Sequence, residues 1–171
     1  MSKPKTESAK WQNRIVGWDV VAPDQLIPHP ENWRRHGAKQ RKALRGSLND
    51  LGWIAPVLVS RNSGRVIDGH ARVEEAISKG CEVPVAYVDL TEAEEREALL
   101  VLDPIAAMAE ADKESLDALL REVSTTEAGI LAMFTELAEG VGIIPADDPP
   151  PVAGSDREFT CPECGYTWSP S

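Results

Sequence analysis

The stretch Val66-Ile67-Asp68-Gly69-His70-Ala71-Arg72 decides how the chain is read. Two β-branched residues run into an acid, a glycine follows, and helical spacing begins. A strand–glycine–helix corner is a place to hold an anion. The first amides of the helix have no intrahelical partner, and the helix dipole adds partial positive charge there. Gly69 lets a ligand approach the backbone closely. Arg72 falls in the first turn, where its fork can bind phosphate oxygens. His70 can donate a hydrogen bond or shuttle a proton. Asp68 reads two ways, as a magnesium ligand or base or as a cap for the helix after it. The bland alternative for the whole corner is an ordinary strand–turn–helix junction with a surface histidine and arginine.

Outward from the corner, Trp53-Ile54-Ala55-Pro56-Val57-Leu58-Val59 reads as a strand with a proline near its start, and Asn62-Ser63-Gly64 as a turn. Residues 54–68 are therefore expected to form a hairpin. A helix follows over 71–79, closed by Gly80, and then a strand, Val83-Pro84-Val85-Ala86-Tyr87-Val88. Upstream, Ile15, Val16, Trp18, Val20 and Val21 predict a strand leading to the loop Pro28-His29-Pro30-Glu31-Asn32-Trp33, where the prolines exclude helix. Between them, 38–51 predicts a helix with Leu44, Leu48 and Leu51 on one face, ended by Gly52. Downstream, Thr91 and Glu94 form a capping box for a helix that runs to about Leu102 and is broken or kinked by Pro104. Asp112 caps a further helix with Leu116, Leu119 and Leu120 on its apolar face. Thr126 caps another with Ile130, Met133, Phe134 and Leu137 inward.

These motifs come in an order and spacing that is similar to the N-terminal domain of the ParB/sulfiredoxin family. The resemblance runs through Pro28-His29-Pro30-Glu31-Asn32-Trp33-Arg34-Arg35-His36, Leu51-Gly52-Trp53-Ile54-Ala55-Pro56-Val57-Leu58-Val59, the corner, and Glu82-Val83-Pro84-Val85. It covers about residues 18–102, and it resembles the short ParB-like proteins of phages and mobile elements. It implies an α/β (α+β) fold with a small mixed sheet and helices, and it implies binding of a nucleoside triphosphate with Mg2+. The nucleotide is CTP in partitioning members and an adenine nucleotide such as ATP in sulfiredoxins and small kinases. Carried over by position, Gly69, His70 and Arg72 match the phosphate box, with Ala71 inside it, and Arg34 and Arg35 match the first arginine box. Partitioning proteins have Gly-Glu-Arg-Arg where this chain has Gly69-His70-Ala71-Arg72, so CTP is not implied outright. Sulfiredoxins place a catalytic cysteine where this chain has Gly69, which argues against their chemistry. The small kinases have Asp-Gly-His-His-Arg, nearer to Asp68-Gly69-His70-Ala71-Arg72, which keeps a phosphotransferase with catalytic Asp68 and His70 as an alternative. A nuclease is a further alternative.

Charge divides the chain. Residues 1–88 hold 14 Lys/Arg against 9 Asp/Glu, and residues 89–171 hold 4 against 19. A basic half beside an acidic half points to an anionic ligand on the first half. Arg34, Arg35, Lys39, Arg41, Lys42 and Arg45 stand together, with no acid between Glu31 and Asp50. Lys39, Arg41, Lys42 and Arg45 are candidate DNA contacts, or a solvated helix face. The downstream helices carry Glu110, Asp112, Glu114, Asp117, Glu122, Glu127, Glu136 and Glu139, the wrong sign for reading DNA. They read as an arm for packing or oligomerisation.

Cys161-Pro162-Glu163-Cys164-Gly165 has the spacing of one zinc knuckle, and a structural zinc takes four ligands. Zinc shared in a homodimer or with a partner protein completes the site, and a disordered remnant is the alternative. No apolar run reaches the ~20 residues of a membrane helix, and Met1–Lys10 has no signal-like apolar core. The expected organisation is a disordered lead at 1–14, a nucleotide-binding domain at 15–102, an acidic helical extension at 103–144, a proline-rich linker at 145–158 and a half zinc ribbon at 159–171. The expected location is the cytoplasm of a bacterial host. The expected function is ParB-like nucleotide binding on or near DNA. A structural adaptor with a degenerate loop is the contrasting reading, favoured by Ala71.

Overall fold

The computed structural model describes residues 11–143 and the backbone strands Phe159–Thr160 and Thr167–Trp168. The expectations for the lead at 1–10, the linker at 145–158 and the Cys161/Cys164 pair lie outside the described residues. The chain divides into two compact units: Met1–Glu110 with Thr125–Met133, and Ala111–Ser124 with Phe134–Ser171.

The first unit is built on a five-stranded mixed sheet. Its strands are β1 (Ile15–Val21), β2 (Ile27–Pro28), β3 (Val57–Ser60), β4 (Arg65–Asp68) and β5 (Val83–Val88), in the order β1-β5-β3-β4-β2. β3 and β4 form the expected antiparallel hairpin. β3 and β5 run parallel, with Leu58 opposite Ala86, and β1 closes the sheet antiparallel to β5. The expected strand over 53–59 begins only at Val57, because Pro56 has no amide to give the ladder. Val57, Val59, Val66, Val83 and Val85 form the core with Leu26, Val73 and Ala76, the last two from α2 (His70–Lys79). Gly80 ends α2 in the left-handed conformation, as glycine does at such a position.

The basic helix α1 (Ala38–Asp50) forms where expected, but Leu51 lies past its end and is 63 % exposed. Helix α3 (Glu92–Ala107) opens on the expected capping box of Thr91 and Glu94. It is not broken at Pro104 but continues to Ala107. Proline removes the bond to the carbonyl four residues back. That carbonyl belongs to Leu100, which is exposed, so water can replace the lost donor. The expected boundary at 102–103 thus falls inside a continuous helix. Arg14 likewise does not belong to a loose lead. Its two Nη atoms donate to both Glu94 oxygens at 2.9 Å and its Nε to the Asp89 carbonyl at 2.7 Å. The Arg14 contact and the Thr91 bonds hold the Glu94 carboxyl at about 2.

Helix α4 (Lys113–Glu122) is capped by Asp112, whose Oδ1 accepts the Ser115 N–H at 2.8 Å. Leu119, expected inward, is 57 % exposed. Helix α5 (Ala128–Gly140) is entered through Thr125 rather than Thr126: the Thr125 Oγ1 accepts the Glu127 N–H at 3.1 Å. Ile130 is buried as expected, whereas Met133 and Leu137 are exposed and Ala138 is buried in their stead. Strands β6 (Phe159–Thr160) and β7 (Thr167–Trp168) pair antiparallel. No helix among the described residues is long and apolar enough to cross a membrane.

Candidate functional site

The corner between β4 and α2 is built as its sequence requires. Gly69 has φ +96°, a conformation L side chains rarely adopt, and it caps α2 with no side-chain hydrogen bond. The first intrahelical bond runs from the Val73 N–H to the Gly69 carbonyl, so the amides of His70, Ala71 and Arg72 precede the ladder. Asp68 does not cap the helix. Its Oδ2 accepts from Arg72 Nη2 at 2.6 Å and its Oδ1 lies 3.5 Å from Arg34 Nη1.

Arg34 reaches this corner from the loop before α1, and its side chain is only 10 % exposed. Three contacts fix it. Nη1 also pairs with Asp103 Oδ2 at 2.9 Å, Nη2 donates to the Leu99 carbonyl at 3.0 Å, and the guanidinium lies 5.7 Å from the centre of the Trp33 ring. The Trp33 indole donates to the same Leu99 carbonyl at 3.1 Å. The Nε atoms of both Arg34 and Arg72 are buried and have no hydrogen-bond partner. Two guanidiniums thus converge beside open helix amides, neutralised by two carboxylates from the same chain. That arrangement suits exchange of a carboxylate for a phosphate.

His70 is 8 % exposed, and its Nε2 accepts the His29 backbone N–H at 3.3 Å. Burial, helped by the Arg34 charge, pushes the His70 ring down to about 4. At neutral pH it is therefore an uncharged donor rather than a third cation. Ala71 is buried at 7 %.

The remaining sequence-predicted positions divide. Arg35 is exposed. On α1, Arg41 Nε and Arg45 Nε bind the two oxygens of Glu75 at 3.0 and 2.8 Å, and Arg41 also pairs with Glu74. Glu75 is 3 % exposed, and hydrogen bonds from Arg45 and Arg41 outweigh its burial and hold its carboxyl below the ordinary range. These two arginines are a clamp between α1 and α2. Lys39 and Lys42 are exposed. His36, Ala38, Arg41, Lys42 and Arg45 line an open groove of about 400 Å3. Leu99, Asp103, His29 and Glu95 were not foreseen. The only sequence signal was the place of His29 in the Pro28–Trp33 loop.

No family model matches the chain, and no curated protein matches it. Solved structures do. A C-terminally truncated ParB from Caulobacter crescentus, complexed with CTP-γ-S, superposes with a TM-score of 0.52 at 18 % identity, over 72 % of this chain and 79 % of that one. The N-domain of a pNOB8-like ParB gives a TM-score of 0.46 at 17 % identity, over 94 % of this chain and 56 % of that one. The fold of the first unit is that of a ParB-like N-terminal domain.

Proposed function

We propose that this chain binds a nucleoside triphosphate, CTP or ATP with Mg2+, at the Asp68–Arg72 corner, and that it does so on or near DNA. The observation that carries the reading is the convergence of Arg34 and Arg72, each with a buried Nε lacking a partner, on a helix start capped by glycine. The ParB of similar fold was solved with CTP-γ-S. Arg34, Arg72 and the amides of His70 and Ala71 would hold phosphate oxygens. Asp68, displaced from Arg72, would take Mg2+, which supplies charge neutralisation when bound.

Titration of the purified protein with CTP, ATP, GTP and UTP in the presence of Mg2+ tests this by calorimetry. Arg72→Ala is expected to weaken binding at least tenfold, since a hydrogen bond to a charged group contributes about 1.5–3 kcal/mol. Asp103→Asn is expected to strengthen it several-fold, because Asp103 competes with phosphate for Arg34. No binding by any of the four nucleotides would sink the proposal. Binding followed by phosphate release or transfer would move it to the phosphotransferase reading.

The DNA contact is proposed for the exposed side of α1. Arg41→Glu or Arg45→Glu would also break the Glu75 clamp and lower stability, so Lys42→Glu is the cleaner probe. It is expected to reduce the slope of log affinity against log salt by about one. An unchanged slope in gel shifts at several salt concentrations would make this face solvated surface. Zinc shared between two copies is proposed for Cys161 and Cys164, on the strength of their two-residue spacer and the β6–β7 pairing on either side. Half an equivalent of zinc per chain in purified protein is the expected value, and its absence removes the site.

A further inference from the structure

His70 is held by groups that the phosphate corner itself does not contain. Its Nε2 accepts a backbone N–H, from His29. A backbone amide can only donate, so Nε2 carries no proton and the proton of the uncharged ring is on Nδ1. His29 is fixed in turn. Its Nδ1 accepts the Glu31 N–H at 3.1 Å, which places its own proton on Nε2, and that nitrogen lies 3.4 Å from Glu95 Oε2.

Glu95, in the first turn of α3, is only 1 % exposed. Burying a carboxylate is costly unless groups of opposite polarity surround it. Here the Ser60 and Ser63 hydroxyls and His29 do so. Burial raises the Glu95 carboxyl, but these neighbours outweigh it and hold the group below its ordinary value, ionised. Neither Glu95 oxygen has a well-aligned hydrogen bond. The carboxylate therefore acts on His29 chiefly through charge and proximity. Ser60 Oγ has no access to solvent, so the Ser60–Glu95–His29 group is not itself a place where a substrate reacts.

We propose that Glu95 and His29 are positioning residues for the phosphate corner: the buried carboxylate holds the His29 ring, the His29 amide thereby stays on Nε2 of His70, and His70 stands at the start of α2 with its ring proton on Nδ1. The assignment rests on the reading of that corner as an anion site. It gives α3 two links to the corner, one through Asp103 and Leu99 to Arg34, the other through Glu95 and His29 to His70. With the opposite tautomer, the His29 amide would face a protonated nitrogen and lose its acceptor.

Long-range 1H–15N correlation of the imidazole nitrogens in the full chain reads the tautomer directly, and titration with inorganic tripolyphosphate reads the anion site without presuming a base. Wild-type His70 is expected as the Nδ1–H tautomer. Glu95→Ala is expected to give mixed tautomers at His70 and about a tenfold loss of tripolyphosphate affinity, the weight of one hydrogen bond to a charged group. Glu95→Gln, which keeps an oxygen beside His29 Nε2 but not the charge, is expected to recover both only in part. If Glu95→Ala does not fold, His29→Asn removes the same contact from the loop side and carries the same expectation. An Nε2–H tautomer in the wild type overturns the assignment, as does a folded Glu95→Ala with unchanged tautomer and affinity. Wild-type protein that has the Nδ1–H tautomer but binds no tripolyphosphate overturns the anion site alone.

Discussion

Gly69→Ala is expected to lower stability by about 3 kcal/mol and to weaken the proposed nucleotide binding at least tenfold, through two separable effects. The backbone is the first: at φ +96°, an L side chain costs about 1–2 kcal/mol. Space is the second. A Cβ on Gly69 would stand 2.9 Å from Val57 Cγ2 and 3.0 Å from both Nε and Nη2 of Arg72. Val57 is fully buried and cannot withdraw, and overpacking of this kind costs about 1–3 kcal/mol. Arg72 is the flexible neighbour, so it yields, and the guanidinium leaves the position from which it meets Asp68. Gly52 supplies the control. It has φ +70°, but a Cβ there would meet nothing within 4 Å, so Gly52→Ala carries backbone strain without the clash. Chemical denaturation and calorimetry of the two variants give the difference. Equal stabilities, with nucleotide binding intact in Gly69→Ala, would show that close packing around Gly69 does not shape the corner.

This contrast also marks what was legible in the sequence. The corner was legible because every part of it is local: a β-branched run, a glycine and a charged first turn within seven residues. The hairpin, the Gly80 stop and the Thr91–Glu94 capping box were legible for the same reason. What escaped depends on contacts between distant segments. Arg41 and Arg45 read as free cations because no acid lies between Glu31 and Asp50, yet their acid is Glu75 on α2. Glu95 sits in the run Glu92-Ala93-Glu94-Glu95, which reads as a solvated helix start. Glu94 does turn to Arg14 at the surface, while Glu95 is turned by the helical period toward His29 and Ser60. Asp103 stands beside a proline that reads as a break, and it meets Arg34 because it lies one helical turn after Leu99 on the same face of α3. Alternation and periodicity identify which face of an element is apolar. They do not say which distant charge will meet a buried one.

Gly129→Ala is expected to destabilise by about 2–3 kcal/mol, against the sign that helix propensity alone would give. Alanine is better than glycine in a helix by up to about 1 kcal/mol. At Gly129, however, a Cβ would lie 2.4 Å from the Lys42 carbonyl oxygen, 2.6 Å from its carbon and 2.9 Å from the Ala43 nitrogen. All three are backbone atoms of α1 and none can rotate aside. Gly46 faces this contact from α1, with the Glu127 and Ile130 side chains at 3.1 Å from where its own Cβ would be. The start of α5 and the middle of α1 touch because both lack side chains there. Two responses are open to the variant. The helices can separate and strain the core, at about 1–3 kcal/mol. Alternatively, residues 125–130 can leave α1, giving up the burial of Ile130, about 1.5–3 kcal/mol, together with the Asn49–Glu127 and Asp50–Thr125 hydrogen bonds. The second route limits the loss, since undocking removes the clash entirely. Hydrogen exchange separates them. Undocking speeds exchange at the Ile130 and Leu131 amides, which bond to the Glu127 carbonyl, while Val59 and Val85 in the sheet keep their wild-type protection. Gly140→Ala, where nothing lies within 4 Å, is the propensity control and is expected to be neutral or stabilising by up to about 1 kcal/mol. A Gly129→Ala protein as stable as Gly140→Ala, with unchanged exchange at 130 and 131, would refute the close crossing. It would also free the Lys42 side of α1 from any constraint by α5, which bears directly on how much of that helix is open to the proposed DNA contact.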